Sequence, residues 1–256
     1  MENQWRVIGL SINDAYMNMA IDEAILRLRS IKKSPNTLRF YRWYPSAVSI
    51  GYFQSIEDEV DIEACKRMGV DIVRRITGGG AVYHDFEGEI TYSLIVDEGN
   101  PKIPFDIIKS YGVICKGIII GLKALGLNPE FKPINDIVIN NKKISGNAQT
   151  RKSGVVLQHG TILLDSNLQT MFKVLKVSDE KIRDKMIKAA EERVTTIRKE
   201  LNRKPSFEEV EKALRYGFEK ALQVKFFEDN LTLEELELAK ELRESKYSTK
   251  EWIFKR

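Results

Sequence analysis

The chain has 256 residues, 43% of them apolar, which is enough for one large domain with its own core and excludes a disordered chain. Its 41 basic and 37 acidic residues are spread along the sequence, so the formal charge of +4 excludes a nucleic-acid footprint and suits an acidic protein partner. The only cysteines, Cys65 and Cys115, lack CxxC spacing and no secretory signal opens the sequence, so we expect a reduced, cytoplasmic protein.

Alternating periods of 2 and 3.6 predict an α/β (α+β) fold, with mixed sheets flanked by helices. "WRVIGL" reads as a strand, and "MNMAIDEAILRLRS" as a helix with Met19, Ala20, Ala24 and Leu28 on one face. Two strands follow, "TLRFYRW" and "AVSIGYF", separated by a turn at Pro45 and Ser46. "IEDEVDIEACKRMG" is predicted as one helix closed by Gly69, leading into the strand "VDIVRR". "AVYH" and "EITYSLIV" are expected to form a strand pair joined by a turn near Gly88. Asp85, Glu87 and Glu89 then fall on that turn as ordinary polar residues, not as a catalytic carboxylate pair.

A long helix is predicted from about residue 107 to 125. Lys116 and Lys123 interrupt it, so it falls short of the ~20 apolar residues of a membrane span, and Gly117 and Gly121 are expected to let it pack closely on a sheet. The strands "DIVIN", "KKISGNA" and "GVVLQHGTILL" come next. Helices dominate from Asn167, with capping-box spacings at Ser206 and Glu209 and at Thr232 and Glu235. The charged region 180–204 reads as a solvated helix face.

Three stretches carry chemistry. In "RRITGGGAVYHD", residues 74–85, three glycines let a ligand lie flush on the backbone and leave N–H groups free for an anion. The run matches neither a P-loop nor a dinucleotide fingerprint. Of Arg74 and Arg75, strand alternation sends one into the site and the other away. His84 either handles a ligand proton or is a buried histidine bonded to the backbone.

In "NDIVINNKKISGNAQTRK", residues 135–152, a two-residue turn at Asn140 and Asn141 pairs Ile139 with Lys142, Val138 with Lys143 and Asp136 with Ser145. Lys143 and Asp136 then share the polar face, while Lys142 lies on the isoleucine-rich one. The third stretch, "LQHGTILLD", holds His159, the only other histidine. HExxH, GxSxG and a cysteine in a glycine-bearing loop are all missing, which leaves a cationic pocket for an anionic substrate or intermediate.

These three segments, in this order and spacing, resemble the lipoate-protein ligase family, whose fold is shared with biotin protein ligases and is distantly like the class II aminoacyl-tRNA synthetase core. "RFYRWYPSAVSIGYFQ" looks like the family's substrate-pocket strands and "KYSTKEWIF" like the usual end of its catalytic domain. The likeness spans nearly the whole chain and implies a single catalytic domain over 1–256, mainly helical from about 166.

The resemblance implies that Lys143 is the catalytic lysine, contacting activated carboxyl and adenylate phosphate. Arg75 would meet ATP, Gly78 and Gly79 would border the lipoyl chain, and Gly80, Ala81, Val82 and Tyr83 would follow the adenylate. Asn135 and Asp136 would sit near phosphate and Mg2+, with Asp136 as the metal ligand. His84, His159, Gly160 and Thr161 would complete the lipoyl-AMP site. The implied reaction forms lipoyl-AMP from lipoate and ATP and passes the lipoyl group to a lysine of a lipoyl carrier domain, in a 2-oxoacid dehydrogenase complex or the glycine cleavage H protein. Magnesium would neutralise the departing pyrophosphate.

Two departures qualify the likeness. The small C-terminal domain of many relatives is missing, so a separate accessory chain is expected to support activation of lipoate. Some relatives are octanoyltransferases with a cysteine after "SGNAQ", where this chain reads Thr150, Arg151 and Lys152. An octanoyltransferase drawing on acyl carrier protein, and a non-catalytic protein that binds lipoyl domains, are the alternatives.

Overall fold

The computed structural model describes residues 4–176 and 191–256. The first strand, β1 (Gln4–Asn13), leads through the N-cap Asp14 into helix α1 (Ala15–Ser30), where the Asp14 carboxylate accepts from Met17 N at 2.7 Å. Strands β2 (Thr37–Trp43) and β3 (Ala47–Ile50) follow. The single helix expected over 56–69 is two, α2 (Ile56–Glu59) and α3 (Ile62–Met68). Val60 turns extended to bridge to Leu175, and Asp61 caps α3 through Ala64 N; this start signal lies inside the apparent periodicity. Gly69 closes α3 in the left-handed region, as its place in the sequence predicts.

Strands β4 (Asp71–Arg74), β5 (Val82–His84) and β6 (Glu89–Asp97) precede the long helix α4 (Ile107–Ala124). Then come β7 (Glu130–Lys132), β8 (Asp136–Ile139), β9 (Lys142–Lys152), β10 (Val155–Leu163) and α5 (Leu168–Val174). Of the solvated helix face expected over 180–204, residues 180–190 lie outside the described residues. Its described end holds α6 (Ile197–Leu201), with Ile197 buried. The chain finishes with α7 (Phe207–Leu222), β11 (Lys225–Glu228), α8 (Leu233–Leu242), a π-helical turn (Arg243–Tyr247) and α9 (Lys250–Ile253).

Eight strands form a mixed sheet in the order β11-β1-β2-β6-β10-β9-β8-β7, and β4-β3-β5 form a second, small sheet. This is the mixed α/β architecture that the alternating periods predict. The expected pairing of "AVYH" with "EITYSLIV" does not occur, because β5 pairs with β3 while β6 lies between β2 and β10. The chain crosses between sheets at Gly88, whose missing Cβ would meet the Asp165 and Ser166 backbone at 2.6 Å. Glu89 therefore starts a buried strand instead of sitting on a solvated turn.

Strand alternation sorts the large sheet's faces. Leu38, Phe40, Ile90, Tyr92, Leu94 and Val156 pack with Ile114, Ile118, Leu122, Leu214 and Phe218 of α4 and α7. Tyr41, Trp43, Ile95 and Leu157 belong to the cluster with α1 and α8. Gly117 and Gly121 serve close packing, but against a helix, not the sheet. A Cβ on Gly117 would lie 2.5 Å from Phe218, and one on Gly217 would lie 2.1 Å from Gly117 O. Of the two expected capping boxes, only that of Thr232 and Glu235 is complete. Ser206 caps α7, but the Glu209 carboxylate pairs with Arg203 at 2.5 Å. Among the described residues no helix is long and apolar enough to cross a membrane.

Candidate functional site

A cavity of about 320 Å³ separates the α1 face of the large sheet from the small sheet. Period-2 alternation brings Tyr41 and Trp43 of β2, Thr91 of β6, and His159, Thr161 and Leu163 of β10 to its large-sheet wall. Ser49 of β3 and Val82, Tyr83 and His84 of β5 form the opposite wall, with Gly79, Gly80 and Ala81 between. Met19, Leu168 and Met171 add apolar surface from α1 and α5. The glycine run works through close approach: a Cβ on Gly51 would lie 2.0 Å from Gly79 O, and Gly79 itself has φ +94°.

The two arginines divide as strand alternation predicts. Arg74 is buried away from the cavity, donating to Gly51 O and Gln54 O and, at 2.8 Å, to Ile253 O, while Trp252 Nε1 donates to Arg74 O. The "KYSTKEWIF" segment thereby ties the chain's end to β4. Arg75 lines the cavity, and its N–H groups serve the protein itself. Nε donates to Thr77 Oγ1, Nη1 to Ser49 O and Oγ, and Nη2 to Gly78 O and Gly80 O. Burial lowers its pKa to about 10, so it stays charged at neutral pH and shapes the glycine loop.

Two buried histidines flank this guanidinium. His84 Nε2 lies 2.8 Å from Ser49 Oγ and its Nδ1 lies 2.8 Å from Glu89 Oε1, which also accepts from Thr91 Oγ1 at 2.6 Å. Trp43 stacks on the His84 ring at 3.9 Å and donates Nε1 to Thr91 Oγ1. His159 Nε2 lies 2.7 Å from Thr77 Oγ1, and its Nδ1 is 3.5 Å from Asp22 Oδ2. Burial lowers the His159 pKa against the opposing pull of Asp22. Burial alone would raise the Asp22 pKa, but His159, Arg39 and Ser93 hold it below the usual carboxylate range.

At the other end, Asn140 and Asn141 form the expected turn with φ 51° and 62°, and Val138 and Ile139 pair with Lys143 and Lys142 as predicted. The third pair differs. A bulge between Ile137 and Val138, with Ile144 as the extra residue on β9, sets Asp136 opposite Gly146 instead of Ser145. It also places Lys143 and Gly146 on one face, where period 2 would separate them. The Lys143 ammonium lies over Gly146, where a Cβ would meet Cε at 2.7 Å and Nζ at 2.8 Å, and pairs with Asp136 Oδ1 at 2.7 Å. Thr150 to Lys152, the residues that follow "SGNAQ", belong to β9.

Of the residues singled out from sequence, Arg75, Gly79, Gly80, Ala81, Val82, Tyr83, His84, Asn135, Lys143, His159, Gly160 and Thr161 all border the cavity. Gly78 touches it only through Arg75, and Asp136 through Lys143. Sequence reasoning missed Trp43, Ser49, Thr91, Asn147, Asp22 and Glu89. Ser49 had a signal, a hydroxyl between Val48 and Ile50 in an otherwise apolar strand. Asn147 had none: it exchanges hydrogen bonds with Asn135 and occupies the space that a Cβ on Gly160 would fill, 2.1 Å from Oδ1.

Residues 14–219 match the lipoyl protein ligase A/B catalytic domain. The chain belongs to this family. It is 39% identical to Octanoyltransferase LipM of Brevibacillus brevis, covering 99% of both chains, and 40% identical to Octanoyltransferase LipM of Clostridioides difficile, covering 99% of this chain and 100% of that one. Among solved structures it is similar to a bi-partite lipoate protein ligase from Thermoplasma acidophilum, described with its E2 lipoyl domain. That match has a TM-score of 0.88 and 38% identity over 98% of this chain and 96% of that one.

The curated relatives overturn the expectation of an ATP-dependent lipoate ligase. The curated relatives named above are octanoyltransferases along their full length, so the expected ligase activity, lipoyl-AMP, ATP and Mg2+ do not hold. The ATP contact expected of Arg75, the metal role expected of Asp136 and the accessory chain for activation lose their basis with them. The physical reason is that a thioester already holds an activated acyl group, and no nucleotide is needed to transfer it.

Proposed function

We propose that this chain is an octanoyltransferase that moves an octanoyl group from an acyl-carrier thioester to a lysine of a lipoyl carrier domain. The observation that carries this reading is full-length similarity to octanoyltransferases combined with a largely apolar cavity that has Lys143 at its border. Met19, Trp43, Leu163 and Leu168 offer the walls a saturated chain needs, and each methylene buried there contributes about 0.8 kcal/mol. The Lys143 ammonium, held by Asp136 and still partly open to solvent, stabilises negative charge on the carbonyl oxygen as the acyl group changes partners. The product is an amide on the acceptor lysine, with the carrier released as its thiol.

The test is mass spectrometry of a lipoyl carrier domain incubated with this protein and octanoyl-acyl carrier protein in the absence of ATP. The expected result is a gain of one octanoyl group, lost when the acceptor lysine is replaced by arginine. A carrier domain left unmodified under these conditions would refute the reading.

A further inference from the structure

Octanoyl transfer through a covalent intermediate needs a nucleophile in the cavity, and the chain's two thiols are elsewhere. Cys65 packs in the cluster beneath the small sheet and Cys115 in the α4 core, and burial pushes both pKa values up to about 12, where little thiolate exists at neutral pH. We propose, resting on the octanoyl-transfer reading above, that Ser49 carries the acyl group as a serine ester, with His84 as its general base and Glu89 as the positioning residue.

Hydrogen-bond directions support this. Glu89 Oε1 accepts from Thr91 Oγ1, and as an acceptor for His84 Nδ1–H at 2.8 Å it assigns the tautomer that leaves Nε2 as the basic nitrogen. Nε2 faces Ser49 Oγ at 2.8 Å, and that oxygen also accepts from Arg75 Nη1 at 3.2 Å. The serine proton therefore points at His84, while the neighbouring guanidinium favours negative charge on Oγ. Thr91 and the stacked Trp43 fix the Glu89 carboxylate and the imidazole plane. The arrangement has the logic of a Ser-His-acid triad without the GxSxG sequence context.

The second hydroxyl–imidazole pair, Thr77 and His159, is the weaker candidate. Thr77 is fully buried and does not border the cavity, whereas Ser49 does. His159 Nδ1 also makes no hydrogen bond among the described residues, so its tautomer is not fixed by a carboxylate.

In the first step Ser49 Oγ attacks the thioester carbonyl and its proton passes to His84. The C–S bond breaks, and the carrier sulfur leaves with that proton as a thiol. In the second step the acceptor lysine amine attacks the ester, the C–O bond breaks and Ser49 regains its proton through His84. Each step descends in acyl-transfer potential, from thioester to ester to amide. The Gly79 and Gly80 N–H groups make no backbone hydrogen bond among the described residues and, with Lys143, supply donors for the carbonyl oxygen.

The experiment is intact-mass analysis of the full chain after incubation with octanoyl-acyl carrier protein alone, followed by peptide mapping. The expected result is one octanoyl group on the peptide containing Ser49, discharged on adding the lipoyl carrier domain. Ser49→Ala should lose the adduct and slow transfer by about 10³-fold or more. Ser49→Cys should trap an adduct that neutral hydroxylamine removes, a thioester signature that a merely structural serine would not give. Glu89→Gln should lower kcat with little change in KM, and the double variant Cys65→Ala, Cys115→Ala should still form the adduct. Transfer at the wild-type rate by a folded Ser49→Ala protein, or an adduct mapped to another residue, overturns the serine step and leaves the octanoyl-transfer reading standing. A wild-type protein that never modifies the acceptor overturns both.

Discussion

Lys143 is the residue whose loss should separate chemistry from folding. Its side chain is 43% exposed and its partner Asp136 is 32% exposed, so the pair contributes no more than about 1 kcal/mol to stability. Removing one preorganised charge from an acyl-transfer site costs about 10²–10³-fold in rate. Lys143→Met should therefore leave the melting temperature nearly unchanged while octanoyl transfer, followed by mass spectrometry, falls by that factor. His159 makes a different prediction. Its pKa is lowered by burial, so below about 6.5 the unfolded chain binds a proton that the folded chain does not. Its contribution to stability is complete above pH 6.5 and is lost as pH falls toward the lower folded value. Melting temperatures measured from pH 7.5 down should decline, and His159→Gln should flatten that slope; an unchanged slope would show that another group carries it.

At the scale of elements, the β8–β9 hairpin is built around its bulge. Because the bulge puts Gly146 beneath Lys143, Gly146→Ala would push the ammonium aside while leaving the strand backbone free to keep its conformation. A displacement of about 1 Å at a reacting centre can cost 10²-fold. Gly146→Ala should thus slow transfer at least 10-fold, and in the Lys143→Met background it should cost little more, since both changes act on one ammonium. Simple addition of the two losses would mean that Gly146 serves something else. This hairpin shows where sequence reading stopped. The turn residues Asn140 and Asn141 were legible because their tolerance of positive φ is local chemistry. The bulge two residues away was not, because it depends on how β9 meets β8 and β10 together.

Across the whole molecule, the chain's last quarter is locked to its first strand. β11 pairs in parallel with β1, and the Arg6 guanidinium of β1 makes a buried bidentate pair with Glu235 of α8 at 2.6 and 2.8 Å. Glu235→Ala would leave a buried arginine without its counter-charge, which costs about 3–5 kcal/mol. Denaturant unfolding should show that loss directly, and transfer measured at low temperature on the remaining folded protein should be largely retained.

The sequence by itself determined whatever depends on neighbours in the chain. It set the helix start at Thr232, the left-handed stop at Gly69, the turn at Asn140 and Asn141, and the opposite directions of Arg74 and Arg75. Capping, turn chemistry and strand alternation act over a few residues, and they leave a readable pattern. Tertiary structure alone decided the division into two sheets, which turned Glu89 from a turn residue into the buried partner of His84 and brought Ser49 across from it. It also decided that Gly117 and Gly121 meet a helix, and that Arg75 uses its donors inside the protein. Those outcomes rest on contacts between segments tens of residues apart, whose pairing follows from burying both faces of the large sheet at once, a condition no local window of sequence contains.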